Sequence, residues 1–534
     1  MKLLKSVFFC LIGVAIFFQI QNVMISDGPD FEHEERVLKG EKAIPKDMLD
    51  VIFLGTSLMD QGMSPMELYE NTGILSYNMA TSGQPIQHSY YFLKQAFKRQ
   101  SPKVVVLDVS SLFLDEYDSH WRYGLDNMEF SMDKIEMALE YEKVVDGGDR
   151  WSALFPILKY HTRWSQLTKD NFETRTTKNY YSAGQYLFSL VQPFARKTEE
   201  IDAIVDHLLT MDPGYIKYIE DGEICEESIT GPVYSVEIQE NRLQYLLKIK
   251  NLCEEKNSQL LLVRIPTFRL PQIYSSTWTK QKYLFTKSLA EEYGIPFFDL
   301  TYDIDIGLDL ATDTSDGGIH PTNIRGAKKI TKALSDYMIQ NYDLGRKKNS
   351  EYDNALIKYK KVREVALLQS ETRFDTYIER LIENKDKWTI IIASYDEHKR
   401  GLDEANYQAF DLLGLRLCAE GSYGVSYGAI IEQGTVKYEA TSDRRINYST
   451  QLENIYINLT SSGWFTAPKA SITINGEEYA VNKRGLNLVV YDNESGLVID
   501  SVCFDTYQAS KPASRNAGNI NNYLRTYESA VCYE

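Results

Sequence analysis

DVIFLGTSLMDQGMSP, residues 50–65, decides how the first half of the chain is read. The apolar run DVIFLG is short and unbroken, which suits a strand buried on both faces. It ends in Gly55, Thr56 and Ser57, so a sharp turn carries a hydroxyl out of the strand. Working outward, the same rhythm recurs. Residues 86–99 place Ile86, Tyr90, Leu93 and Phe97 at helical spacing, and residues 103–109 (KVVVLDV) are a second apolar strand. Residues 241–255 read as a helix through Leu243, Leu246, Leu247 and Ile249. Strand 260–266, helix 282–293, strand 295–300 and a closing helix at 325–342 follow. Apolar strands alternating with amphipathic helices predict an α/β fold, a three-layer α/β/α parallel sheet covered on both faces. Residues 115–235 interrupt the rhythm and are expected to be a largely helical insertion.

At 534 residues the chain is long enough for two to four domains. Its 75 acidic side chains outnumber 58 basic ones, giving a net charge of -17. That argues against a nucleic-acid binder or a polybasic membrane-surface module, each of which needs a basic face. None of the six cysteines falls into a CxxC or other zinc spacing, and no metal or organic cofactor is implied. At the N-terminus Lys2 and Lys5 precede an apolar run from Val7 to Phe18, with a weaker stretch to Ile25. As a helix, Val7 to Ile25 would rise about 28 Å, enough to span a bilayer. Residues 1–26 are read as a retained single-pass transmembrane anchor, with a signal peptide as the alternative, and 27–46 as an acidic stalk; under either reading the remaining domains are on the extracellular side.

In a parallel sheet ligands bind at the carboxyl ends of the strands, where Ser57 falls. Gly55 permits the turn, and backbone N–H groups after the strand can face a developing oxyanion. A second polar group, DTSDGGIHPTNIRGAKKIT (residues 313–331), sets His320 before the closing helix with Asp316 and Asp313 close ahead of it. A serine after the first strand and an acid–histidine pair after the last form a constellation that closes a triad. In the insertion, His161, Arg163 and Trp164 could hold an anionic group and stack on a sugar. The bland reading is a helix in which Trp164 is core and His161 and Arg163 cap carbonyls; His120, Trp121 and Arg122 are read the same way.

FLGTSLMDQG (53–62), YNMATSGQPI (77–86) and residues 316–327 resemble sequence blocks of the SGNH/GDSL-type hydrolases, within the membrane-anchored group of DltD and the envelope O-acetyltransferases. The resemblance covers residues 49–342 and places an SGNH-like domain at 47–345. It implies a nucleophile at Ser57, a base at His320, and an oxyanion hole from the N–H groups of Ser57 and Gly83. The family acid stands three residues before the histidine; here that position is Gly317, so Asp316 takes the role, with Asp313 as the alternative. The GxND block of the wider superfamily is absent. Its strand ends LDVSSLF, which leaves Asp108 and Ser110 as expected substrate contacts. The implied partners are cell-envelope glycan or teichoic acid and a membrane-bound O-acyltransferase.

Composition shifts at residues 343–354, a charged stretch, and a linker helix at 346–372 sets Leu356, Tyr359, Val362 and Ala366 on one face. Beyond it the pattern turns β-rich, with strands expected at 388–394, 470–476, 486–492 and 496–505. IIIASYDE, LLGL, RGLN and FDT resemble interleukin-like EMT-inducer (ILEI) domains, so residues 373–534 are expected to be an α+β ILEI-like domain. In those domains RGLN comes first; here it comes last, as a circular permutation would have it. FDTY occurs twice, at 374–377 and 504–507. The resemblance implies carbohydrate binding, with Asp396, Arg484 and Asn487 as candidate glycan contacts. Fold-determining roles are the bland reading of all three.

Overall fold

The computed structural model describes residues 2–25, 37–42, 44–167, 215–220, 223–228, 237–266, 276–300, 303–308, 313, 323–345, 347–508, 513–515, 523 and 526–527. The chain divides into two compact units at Leu356/Ile357, inside the helix Ser350–Ser370.

The first unit is built on five parallel strands: β1 (Val51–Leu54), β2 (Ser76–Asn78), β3 (Val104–Asp108), β4 (Gln259–Arg264) and β5 (Phe297–Asp299). Their order is β2-β1-β3-β4-β5. Val51 lies opposite Ser76 on one side and Val104 on the other. Side chains of both sheet faces are buried: Val51 and Phe53 on one, Ile52 and Leu54 on the other, all at 0 % exposure. The first face continues through Val104, Val106, Leu261 and Val263. Helix α1 is the N-terminal Lys2–Met24; α2 (Ser57–Gly62), α3 (Pro65–Thr72), α4 (Ile86–Ala96), α5 (Glu240–Glu255), α6 (Ser276–Tyr293) and α7 (Ile324–Asn341) follow in order. The amphipathic α7 sets Ile330, Leu334 and Met338 into the sheet core, and Tyr337 stacks on Phe298 of β5 at 4.1 Å.

Two features of this unit depart from expectation. The edge strand β2 is only SYN, three residues, too short and polar to register as a strand; its Asn78 amide donates to the carbonyls of Met59 (3.0 Å) and Met63 (3.1 Å). The insertion, expected to be largely helical, also holds a pair of strands among its described residues. Helices run Asp118–Asn127, Met132–Val144, Arg150–Leu154 and Ile157–Tyr160, with a 3-10 turn His161–Gln166. Tyr215–Glu220 and Glu223–Ser228 then form an antiparallel hairpin. Alternation of apolar and polar residues over so few positions is easily lost inside a longer helical pattern. Buried Arg122 and Asp126 pair at 2.7 Å within the first insertion helix.

The second unit holds a curled sheet of ten strands: β6 (Trp388–Asp396), β7 (Ser426–Glu432), β8 (Thr435–Ser442), β9 (Ile446–Gln451), β10 (Tyr456–Gly463), β11 (Lys469–Ile474), β12 (Glu477–Glu478), β13 (Gly485–Asp492), β14 (Leu497–Phe504) and β15 (Ser514–Arg515). β6 is central: it pairs antiparallel with β13 along its length and with β7, and parallel with β10 at its end. The helix Phe374–Asn384 packs by its apolar face, Phe374, Tyr377, Ile378 and Leu381. The two FDTY phrases meet there, Phe374 and Tyr377 lying 5.4 and 5.0 Å from the ring of Phe504. Buried Asp500 accepts from Tyr377 (3.0 Å) and pairs with buried Arg515 (3.1 Å). Of the cysteines described, Cys253, Cys418 and Cys503 are free and buried.

Burial also governs the acid response. His88 in α4 is fully enclosed, edge-on to Trp121 at 5.1 Å, and neither ring nitrogen has a hydrogen-bond partner among the described residues. Burial, aided by the neighbouring His120, pulls its pKa down to about 3. The unfolded chain, with histidine near about 6.5, then binds the extra proton, so stability is full above that pH and falls as pH drops toward about 3. We expect His88→Phe to flatten the urea-unfolding free energy of the first unit by about 1.4 kcal/mol per pH unit between about pH 4 and 6. An unchanged slope would sink this account.

Candidate functional site

The strand order places a topological switch between β1 and β3, because the chain leaves β1 for β2 on one side and then crosses to β3 on the other. Outside the carboxyl ends of such strands lies the usual ligand crevice of an open α/β sheet. Here β1 delivers Gly55, Thr56 and Ser57. Gly55 has φ +146°, and a Cβ on it would stand 2.6 Å from Asp108 Cβ and 3.2 Å from Met59 Cβ. Only glycine allows β1 and β3 to end this close together. Thr56 is the N-cap of α2: its Oγ1 accepts from Leu58 N at 3.3 Å and donates to Asp108 Oδ2 at 3.0 Å. Ser57 is the first residue of α2 and half-buried.

Asp108 is fully buried at the end of β3. Besides Thr56 it accepts from Ser110 N (3.1 Å) and Ser110 Oγ (3.0 Å). Burial pushes its carboxyl above the usual range, while the Ser110 and Thr56 hydrogen bonds pull the other way. As a candidate substrate contact, Asp108 is therefore already engaged: its carboxylate ties the ends of β1 and β3 together. Ser110 is half-buried and shares that bond.

From β2 the chain runs alongside β1, Met79 N donating to Phe53 O (2.8 Å) and Thr81 N to Gly55 O (3.2 Å). This carries Gly83, at φ +61°, two residues past the contact with Gly55. The ring of His120, from the insertion, closes over Gly83: a Cβ there would meet three ring atoms at 2.6 Å. Sequence reading missed this pairing, since the two lie in different segments and share no motif. Trp121 is buried and donates to Glu116 at 2.6 Å, and Arg122 is spent on Asp126.

His320 and Asp316 lie outside the described residues. Asp313 is described; it is buried, its Oδ2 bonds Lys329 Nζ at 2.6 Å, and its carbonyl accepts from Asn323 N at 3.0 Å. Asn323 caps α7 through Arg325 N and Gly326 N. That helix packs on α2: a Cβ on Gly62 would meet Ile330 at 3.6 Å, and Ser64 N donates to Thr331 Oγ1 at 3.0 Å. The helix that begins at Ser57 and the helix that follows residue 320 are thus neighbours.

The third expected group does not gather at this crevice. Arg163 caps the C-terminal end of α1 through the carbonyls of Met24 (3.1 Å) and Ile25, and His161 Nδ1 lies 3.0 Å from Leu158 O. Trp164, read alternatively as core, is exposed.

In the second unit one end of the sheet gathers Asp396, Arg484 and a set of aromatic rings. Gly463 pairs with Asp396, and Gly485 with Tyr395. Asp396 stands at φ +65°; its Oδ1 is buried without a hydrogen-bond partner among the described residues, and burial raises its pKa while Arg484 lowers it. Arg484 makes a two-point bond to Asp505 (3.1 and 2.8 Å) and lies 4.5 Å from the Tyr507 ring centroid. Trp464 N donates to Asp396 O at 3.0 Å, while the Trp464 and Phe465 side chains remain exposed. Asn487, by contrast, is buried and staples its own loop through Lys483 N and O. A Cβ on Gly485 would stand 1.9 Å from Phe504 O, so the RGLN turn demands glycine.

Residues 484–531 match the interleukin-like EMT inducer family. The matched stretch covers β13 to β15 and so includes Arg484, Asn487, Asp505 and Tyr507. IIIASYDE and LLGL lie outside it. No curated protein matches the chain.

The Thr56–Asp108 bond gives a direct test of how the crevice is held. Thr56→Ala removes both the cap and the bond to a buried carboxylate. We expect it to lower the stability of the first unit by about 1–3 kcal/mol in urea unfolding. A loss below about 0.5 kcal/mol, the ordinary surface range, would refute the role of this bond.

Proposed function

We propose that the chain is an exported, membrane-anchored SGNH-type enzyme, an acyl-ester hydrolase or O-acyltransferase acting on cell-envelope polysaccharide or teichoic acid. The observation that carries this reading is Ser57 at the β1/β3 switch of a parallel sheet, on a glycine turn that admits no side chain. In the proposed cycle the Ser57 hydroxyl attacks an acyl carbonyl. His320 takes the proton and returns it to the leaving group, and Asp316, or Asp313 in its place, orients the imidazole. The N–H groups of Ser57 and Gly83 hold the oxyanion. Water or a sugar hydroxyl then resolves the acyl-enzyme. The neighbouring of α2 and α7 supports the meeting of Ser57 with His320. The Lys329 bond to Asp313 favours Asp316 as the acid.

Among the described residues one helix, over Val7–Met24, is long and apolar enough to cross a membrane, a property that a signal sequence shares. In the proposed arrangement it is retained, holds the domains on the extracellular face and sets the crevice near a membrane-bound O-acyltransferase. The test is hydrolysis of p-nitrophenyl acetate by the full chain in detergent. Ser57→Ala and His320→Ala should each lower turnover by at least about 10³-fold with the fold intact. Turnover that persists in both variants, or is lacking in the parent, defeats the enzyme reading.

A catalytically degenerate SGNH scaffold that binds glycan is the second reading, and the second unit favours it. A buried acceptor on Asp396 beside Arg484 and exposed Trp464 and Phe465 has the polar-and-aromatic make-up of a sugar site. Under either reading this end of the sheet holds polysaccharide. In calorimetric titration with solubilised envelope polysaccharide, Arg484→Ala and Trp464→Ala should each weaken binding about tenfold, an ordinary contact loss of about 1.4 kcal/mol. Binding unchanged in both variants removes this surface from consideration.

A further inference from the structure

The insertion surrounds the end of α1 with large apolar side chains that stand exposed among the described residues. Arg163 ties the segment Ile157–Gln166 to the last carbonyls of α1. One to two turns earlier, Phe17 lies against Phe155 with ring centroids 6.0 Å apart, and Phe18 against Phe130 at 5.5 Å. Phe130 and Phe155 stack on each other at 6.0 Å. Around this contact Phe130 (48 %), Met132 (67 %), Trp151 (55 %), Leu158 (55 %) and Trp164 (72 %) are exposed. Large apolar side chains concentrated in one region of a surface mark an interaction site, whereas scattered ones need no explanation.

Depth identifies the occupant. Phe17 and Phe18 precede Met24 by seven and six residues, about 9–10 Å along a helix rising 1.5 Å per residue. The apolar window of α1 runs from Val7 to Met24, 18 residues. That is about 27 Å, nearly the whole hydrocarbon layer. If α1 spans the membrane, rings that touch Phe17 and Phe18 cannot stand clear of the bilayer; they lie at or below the headgroup level. Tryptophan is the side chain most at home there, with an apolar body and a polar N–H. Charge argues against an electrostatic contact, because residues 129–164 carry seven acidic side chains against five basic ones, and Lys159 is already paired with Asp118 at 2.6 Å.

We propose that Phe130, Met132, Trp151, Leu158 and Trp164 form a lipid-contact rim that seats the insertion in the outer interface of the bilayer, through acyl-chain contact and not through headgroup charge. The proposal rests on the reading of α1 as a retained anchor. The rim fixes the first unit against the membrane instead of leaving it to swing on a stalk.

The test uses the full chain reconstituted into phosphatidylcholine vesicles, with and without bromine on the acyl chains near the glycerol end. Vesicle flotation reports the anchor; quenching of tryptophan fluorescence by the brominated lipid reports the rim. Parent protein should float and be quenched. The double variant W151F/W164F should float and lose most of that quenching, while W464F should retain it, and added salt should leave the parent signal unchanged. A double variant that floats and is quenched like the parent overturns the rim and leaves the anchor standing. A chain that does not float overturns both.

Discussion

The first unit depends on how closely the ends of β1 and β3 approach. At Gly55 the backbone passes so near Asp108 that no Cβ fits between them. The same approach brings Thr56 within reach of the Asp108 carboxylate, which thereby has a partner in a place where an unpaired charge would be costly. Ser57 inherits its place from this arrangement. It stands one residue beyond a capping threonine that is anchored below and bonded to the helix above, so the start of α2 is held from two sides. A looser crossing would leave the sheet intact and the hydroxyl unfixed.

A comparable constraint organises the second unit. The long strand β6 is the first of its sheet yet lies inside it, between strands that all come later in the domain, and its end carries Asp396 in the left-handed region. The neighbouring ends of β10 and β13 are also glycines, Gly463 and Gly485, each too crowded by backbone for a side chain. Three strands can therefore converge, and the polar groups left at their meeting, Asp396 and Arg484, are framed by the aromatic residues of the adjoining loops.

Much of this was legible in the sequence, and the exceptions have physical causes. β1, β3 and β4 are apolar at every central position because both faces are covered, so their composition declares them. β2 is three residues at an edge, Ser, Tyr and Asn, with no apolar run to declare it. The helical half of the insertion showed itself by its length, the hairpin at 215–228 did not. In the candidate site, Ser57 was marked by its place after a strand and Gly83 by the resemblance of YNMATSGQPI to a known sequence block. His120 was not, because its approach to Gly83 is a tertiary contact between segments with no common pattern. Arg163 and Trp164 are adjacent in sequence and chemically suggestive, yet one grips the end of α1 and the other faces outward. Residue type states what a side chain is able to do, while the neighbouring elements decide what it does. Asp396 and Arg484 come together because β-strand register brings Gly463 and Gly485 to the same end of β6.

The network of Tyr377, Asp500 and Arg515 has a consequence in time. Tyr377 belongs to the first helix that lies wholly within the second unit, and its partner Asp500 lies 123 residues further on; Arg515, further still, bonds the carbonyls of Glu371 and Leu368. None of these bonds can form until Asp500 and Arg515 have been synthesised. Loop closure over such separations makes folding slow. During synthesis that helix therefore waits, its aromatic face uncovered, for the last strands to arrive. Contacts that the unit's early residues begin are finished by its late strands.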